Sequence, residues 1–235
     1  MLTSLSNKRV KEWAKLRQKK YRSEEVLYQG KALDAALKEG LIDTLLYTGV
    51  LPLPFDGAEE VSPEVMEKVS GHSDIQMLGI GHKLAEKEAG GRRVLLLDSL
   101  QDPLNIGTIA RTAVLFGFDS VVLSPECADL YHEKALEAAG DSYFRLAVSH
   151  RELTGEIARL KDLGYAVYAT GLSTNTVPLP EIEAEEKMAF VLGNEGSGVT
   201  KEVMDAADRT VKIPMQNIDS LNVAIAATLV MYHFQ

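Results

Sequence analysis

At 235 residues the chain has room for one or two domains, and its 46% apolar and 25% charged side chains are those of a globular protein able to bury a core. No stretch reaches the roughly 18 apolar residues of a membrane-crossing helix, so neither a helical span nor a membrane partner is expected. A net charge of −9 excludes a protein that coats nucleic acid with its whole surface.

The charge is unevenly placed. Residues 1–22 carry eight basic side chains (Lys8, Arg9, Lys11, Lys15, Arg17, Lys19, Lys20 and Arg22) against one acid, Glu12, a local net of +7 that leaves −16 for the rest. Such asymmetry points to a basic element docking on a polyanion while the body stays acidic. Val10, Trp13, Ala14 and Leu16 recur at near-helical spacing and predict a helix over residues 6–20; a merely solvated charged face is the competing reading. The segment "MLTSLSNKRVKEW" has no apolar stretch of the kind that directs secretion, and a cytoplasmic setting is expected.

A short strand-like run in "SEEVLYQG" precedes a helix expected over 31–38 and stopped near Gly40, then a strand over 45–48. After a proline-rich bend at 51–54, "SPEVMEKVS" pairs a serine N-cap with proline at the first helical position, and "DIQMLGIGHK" reads as a strand. These elements make a small α/β domain. The charged, glycine-ended stretch "AEKEAGGRR" is a linker, which sets the expected domains at 1–88 and 89–235. Beyond it strands are expected at 94–97, 120–123, near 146, and at 165–170, 188–192 and 211–213. Helices are expected at 107–116, 130–139, 152–163, 201–207 and 220–234. Short apolar strands alternating with helices imply a mostly parallel sheet covered on both faces.

The single cysteine, Cys127, excludes an internal disulfide and fits a reducing cytosol. The five histidines are scattered, no ligand cluster with metal spacing is present, and a metal-free site is expected.

Three stretches fall at strand ends. "GNEGSGVT", from Gly193, reproduces the spacing of a phosphate-binding loop except that Val199 stands where its lysine belongs, and Glu195 would repel a phosphate. Three glycines and a carboxylate suit a neutral or positive ligand lying close to backbone. The loop also comes too late in the chain for a dinucleotide fingerprint or for a methyltransferase with its glycine loop after the first strand. "LLLDSLQDPLNIGTIARTAVLFGF" places Asp98, Asp102, Asn105 and Arg111 in and after one strand, with Asn105 and Arg111 expected to flank one pocket. "VKIPMQNIDSLNVAIAATLVMYHF" sets Ser220 and Asn222 at the start of an apolar helix, where plain capping is the simplest role for either.

Together these stretches resemble the signature motifs of the SpoU (TrmH-type) RNA ribose 2′-O-methyltransferases of the SPOUT superfamily. "DPLNIGTIARTA" resembles the first motif, "FVLGNEGSGV" the second and "IPMQNIDSLNVAIAA" the third, in family order. Residues 1–88 are more loosely similar to the ribosomal-protein-like substrate-binding domain that precedes the catalytic domain in many ribosomal RNA members. The third motif departs from the family in carrying Asn217 after a one-residue shortening. The resemblance implies an α/β catalytic domain with a C-terminal trefoil knot, S-adenosyl-L-methionine as methyl donor, and a homodimer with active sites at its interface. It implies Asn105, Arg111, Glu195, Ser220 and Asn222 as the catalytic polar set. Leu192, Gly193, Gly196, Ile213, Met215 and Leu221 would hold the cofactor, and the eight basic residues of the N-terminal segment would bind RNA. The implied activity is 2′-O-methylation of a ribose in RNA, with large-subunit ribosomal RNA favoured by the N-terminal domain. Transfer RNA, or a catalytically silent RNA-binding or ribosome-assembly role, are the alternatives.

Overall fold

A computed structural model describes residues 1–51, 53–217 and 221–235, and the chain groups into two units, Met1–Ala85 with Asp129–Phe144 and Glu86–Ala128 with Arg145–Gln235. In chain order the first unit contains α1 (Lys8–Lys15), β1 (Glu25–Tyr28), α2 (Gly30–Lys38), β2 (Ile42–Tyr47), β3 (Ala58–Glu60), α3 (Pro63–Ser70) and β4 (Met77–His82). The second unit opens with β5 (Arg93–Asp98), α4 (Pro103–Leu115) and β6 (Ser120–Leu123), after which α5 (Glu133–Ala139) belongs again to the first. It continues with β7 (Ala147–His150), α6 (Leu153–Asp162), β8 (Ala166–Thr170), β9 (Thr176–Pro178), β10 (Met188–Gly193), α7 (Lys201–Ala206), β11 (Arg209–Lys212) and α8 (Val223–His233).

In the first unit the strand order is β1-β4-β2-β3, antiparallel except for the β2–β3 pair. The stripe read from the sequence is real, since Val10, Trp13 and Leu16 are buried against Val65, Met66 and Val69 of α3. The helix is shorter than expected, ending at Lys15 and followed by a 3-10 turn at Lys19–Tyr21. The run Arg17-Gln18-Lys19-Lys20 offers no apolar side chain to hold a further turn against the core.

The second unit is a seven-stranded sheet, β7-β6-β5-β10-β8-β11-β9, and every pairing in it is parallel. Its central strands β5 and β10 are buried at every position, as a sheet covered on both faces requires. Two helix starts differ from expectation. Asp102 caps α4, accepting from the Leu104 N–H at 2.9 Å with Pro103 at the first position, so the helix begins four residues earlier than its apolar periodicity suggested. At α8 the cap is Asn222, whose Oδ1 accepts from the N–H groups of Ala224 (2.9 Å) and Ile225 (3.3 Å); Ser220 lies outside the described residues. The three-residue strands β3 and β9, half-buried "AEE" and "TVP", carry no pattern long enough to announce themselves.

Candidate functional site

Parallel strands present their C-terminal ends at one edge of the sheet, where a ligand can meet several loops at once. The ends of β8, β10 and β11 and the first turns of α8 enclose a cavity of about 720 Å³. That is within the ~300–1,000 Å³ usual for small-molecule and cofactor sites. All six residues expected to hold the cofactor (Leu192, Gly193, Gly196, Ile213, Met215 and Leu221) line it. Thr170, the last residue of β8, with Gly171 and Leu172 after it, completes a wall that sequence reasoning missed, because "TGLS" has the composition of any turn.

The second-motif loop owes its shape to glycine. Asn194 and Gly198 exchange backbone hydrogen bonds at 3.0 and 2.9 Å, closing the loop on itself. A Cβ on Gly193 would run into the backbone of Gly198 and Val199, and Gly198 adopts a left-handed φ of 73°. The Asn194 Oδ1 accepts from the N–H groups of Gly196 at 2.8 Å and Ser197 at 3.1 Å, so its side chain, with no phosphate involved, satisfies amides that a phosphate loop would direct at its ligand.

Three of the expected catalytic residues meet. The Asn105 Nδ2 donates to Glu195 Oε1 at 2.9 Å, and the Asn222 Nδ2 donates to Asn105 Oδ1 at 3.1 Å. A carboxylate only accepts, so Glu195 fixes which way the Asn105 amide points. That orientation turns the Asn105 oxygen to Asn222, and the Asn222 oxygen is left to cap α8. The chain of bonds therefore ties together α4, the glycine loop and the start of α8. Burial works against the Glu195 carboxylate, but hydrogen bonds from the Asn105 amide and from the backbone of Glu195 itself, Gln101 and Asp102 prevail and hold its pKa below the usual range. It is an anion at neutral pH and a weak base.

Arg111 is elsewhere. It is exposed on α4 and has no hydrogen bond or ion pair among the described residues. Six helical positions carry it about 240° around the axis from Asn105, so Asn105 is buried while Arg111 faces outward. Among the described residues no hydrogen bond joins the two side chains, which were expected to flank one pocket.

The N-terminal basic set also divides. Lys8, Arg9, Lys11, Lys15, Arg17, Lys19 and Lys20 are exposed. Arg9 is held by Glu59 at 2.7 Å and lies over the Trp13 ring, and the Lys15 and Lys20 ammonium groups lie over the Tyr21 ring. Arg22 does not belong with them. Its guanidinium is 3% exposed, pairs with Asp129 at 2.7 Å and donates to the Leu16 carbonyl at 2.7 Å. It is a structural cation, and a nucleic-acid contact would require breaking that pair.

Among the described residues no group of three His, Cys, Asp or Glu side chains is placed to hold a metal, and no helix is long and apolar enough to cross a membrane. Cys127 is buried; burial pushes its thiol pKa up, and the Sγ donates to the Leu97 carbonyl.

Comparison with known proteins bears on this arrangement. The model of the SpoU rRNA Methylase family matches residues 92–232. The chain is 34% identical to the 23S rRNA (guanosine(2553)-2′-O)-methyltransferase RlmP of Bacillus subtilis (strain 168), over 100% of this chain and 98% of that one. Among solved structures, an AdoMet-bound rRNA methyltransferase from Sinorhizobium meliloti matches with a TM-score of 0.87 at 27% identity, covering 99% of this chain and 95% of that one. A putative RNA methyltransferase of the TrmH family from Porphyromonas gingivalis matches with a TM-score of 0.84 at 28% identity, covering 99% and 98%.

Proposed function

The chain belongs to the SpoU rRNA methylase family and is an S-adenosylmethionine-dependent RNA ribose 2′-O-methyltransferase, and we propose that its substrate is large-subunit ribosomal RNA. The observation that carries the choice of substrate is the 34% identity, over 100% of this chain, to a 23S rRNA 2′-O-methyltransferase; the Asn105–Glu195–Asn222 network and the cavity of about 720 Å³ support the chemistry.

The cavity fits the donor chemically. Leu192, Ile213, Met215, Leu221 and Val223 offer apolar wall to an adenine ring, and the glycine loop offers backbone. Glu195, ionised at neutral pH, complements a sulfonium. When bound, the donor supplies a methyl group already activated for transfer, so the protein's work is positioning and handling of the hydroxyl proton. Glu195, Asn105 and Asn222 hold one another in a single arrangement beside the reacting groups; Ser220 completes the polar set by motif. Arg111 clamps a substrate phosphate and stabilises the developing oxyanion. A guanidinium is always protonated, which suits that role better than general base.

The active form is a homodimer. Leu104, Arg111 and Leu115 lie on one face of α4, and Ile225, Leu229 and Tyr232 on one face of α8, which packs against it. Leu115 is 75% exposed, Ile225 53% and Tyr232 62%, an apolar surface that a second copy would cover. Arg111 shares that surface, so dimerisation would bring it to an active site at the interface. The catalytic domain spans 89–235, apart from the 129–144 segment that groups with the first unit, and carries a trefoil knot that forms the cofactor pocket. Residues 1–88 form the RNA-binding domain, whose exposed lysines and arginines meet phosphates in the cytoplasm.

The test is calorimetric titration with S-adenosylmethionine, followed by transfer of labelled methyl to ribosomal RNA and mapping of the 2′-O-methyl position. Binding with transfer to large-subunit RNA is expected; transfer to transfer RNA alone overturns the substrate, and no cofactor binding returns the chain to a silent module.

A further inference from the structure

Asp98, the last residue of β5, is a carboxylate with 3% of its surface exposed, and it does not line the cofactor cavity. Its Oδ2 accepts two hydrogen bonds from one residue across the sheet edge, from the Thr200 N–H at 2.7 Å and the Thr200 Oγ1 hydroxyl at 2.8 Å. Its Oδ1 accepts from the Ser99 hydroxyl at 3.1 Å. Thr200 stands at the N-cap of α7, where a threonine hydroxyl ordinarily accepts from the helix; here it caps nothing and is turned to Asp98. Ser99 in turn adopts a left-handed φ of 60°, unusual for a residue with a side chain, and is held there by its N–H donating to the Ser124 hydroxyl at 3.0 Å. In that conformation the Ser99 carbonyl accepts from the Asn194 Nδ2 at 2.8 Å.

The two ends of the glycine loop are therefore pinned to consecutive residues at the end of β5: Asn194 to Ser99 and Thr200 to Asp98. β5 and β10 are in register to this point, with Asp98 opposite Gly193, so the anchor stands beside the root of the loop. Between the pins lie Glu195 and the backbone that lines the cavity.

We propose that Asp98 is a positioning residue for methyl transfer, acting with Ser99 through Thr200 and Asn194 to fix the loop that presents Glu195 and its backbone to the cofactor. The inference rests on the cavity being the S-adenosylmethionine site. Three variants test it by cofactor titration, steady-state methyl transfer and thermal unfolding. Asp98→Ala loses both bonds to Thr200 and is expected to weaken cofactor binding by about 10- to 100-fold, the range for hydrogen bonds to a charged group. KM for the cofactor rises, and the unfolding midpoint falls as the Thr200 donors lose their acceptor. Asp98→Asn keeps an oxygen for both Thr200 donors and an NH₂ for the Ser99 hydroxyl, and is expected to restore affinity to within about threefold of the unaltered chain. Thr200→Val removes only the hydroxyl bond and is expected to cost about fivefold, so the proposal stays testable even if Asp98→Ala does not fold. Unchanged cofactor affinity in Thr200→Val, or equal losses in Asp98→Asn and Asp98→Ala, overturns the positioning role. If the unaltered chain itself binds no cofactor, the functional reading fails and takes this inference with it.

Discussion

Asn105 and Glu195, 90 residues apart in the chain, meet at 2.9 Å, and their amide-to-carboxylate bond fixes the orientation of a third residue, Asn222, at the start of the last helix. Because each member determines the next, their contributions are expected to be non-additive. Asn105→Ala and Asn222→Ala should each lower kcat for methyl transfer by about 10- to 100-fold, with the double variant losing little more than the worse single one. Steady-state assays of the four proteins in the cycle check this, and independent losses that multiply would show that Asn105 and Asn222 do not act as a unit.

Arg111 is expected to behave differently, since it is exposed and has no partner among the described residues. Arg111→Ala should leave cofactor affinity and the unfolding midpoint unchanged while methyl transfer falls by about 10²- to 10³-fold, the usual cost of removing an oxyanion-stabilising donor. A labelled-methyl assay giving near-normal turnover removes Arg111 from the mechanism.

How far the site was readable from sequence follows from what each residue depends on. The three motifs and the parallel sheet were readable because a strand end, a turn and a helix start are local, and hydrophobic period together with glycine spacing reports them. Asp102-Pro103 is a clear cap signal that the apolar period of α4 obscured. What could not be read are relations across the chain. Nothing near Arg22 announces that Asp129, 107 positions away, buries it, so it looked like its exposed neighbours. The 129–144 segment that supplies this partner groups with residues 1–85, while sequence order alone assigns it to the second half. The outward direction of Arg111 follows from helix geometry once the start of α4 is known, which the expected start at residue 107 did not provide.

The lowered pKa of Glu195 carries a sign. A carboxyl whose folded pKa lies below its unfolded value stabilises the folded state above the unfolded value, about 4.3 for glutamate, and loses that contribution as pH falls through the folded value. Glu195→Gln is therefore expected to flatten the fall in unfolding free energy on acidification below about pH 5. Denaturant titrations of both proteins across that window test it; parallel curves would mean the carboxylate gains nothing from its partners in the folded chain.

Within the N-terminal basic set, charge should separate from stability. Reversing Lys11, Lys15 and Lys20 to Glu, all exposed, is expected to weaken RNA binding and to reduce its dependence on salt, with the unfolding midpoint nearly unchanged. Arg22→Ala removes the buried guanidinium and leaves the half-buried Asp129 carboxylate with its bond from the Tyr131 N–H, and is expected to cost about 3 kcal/mol of stability. Salt-series binding and chemical denaturation of each protein distinguish the two classes. An Arg22→Ala protein as stable as the unaltered chain would return Arg22 to the RNA-binding set.

The exposed faces of α4 and α8 give the last prediction. Ile225, Leu229 and Tyr232 recur at helical spacing on a helix whose other side is core, and the Tyr232 ring packs edge-on against Phe116 at 5.9 Å. Apolar side chains aligned in this way are stable at an interface and a solubility liability without one. Leu229→Arg places a charge where a second copy would bury it, and is expected to convert a dimer into a monomer in sedimentation velocity. Because Arg111 lies on the adjoining face of α4 and because the cavity is built within one chain, the monomer should still bind S-adenosylmethionine but transfer no methyl. A Leu229→Arg monomer with full activity would show that each active site is complete in a single chain, and would move Arg111 back to a role within its own protomer.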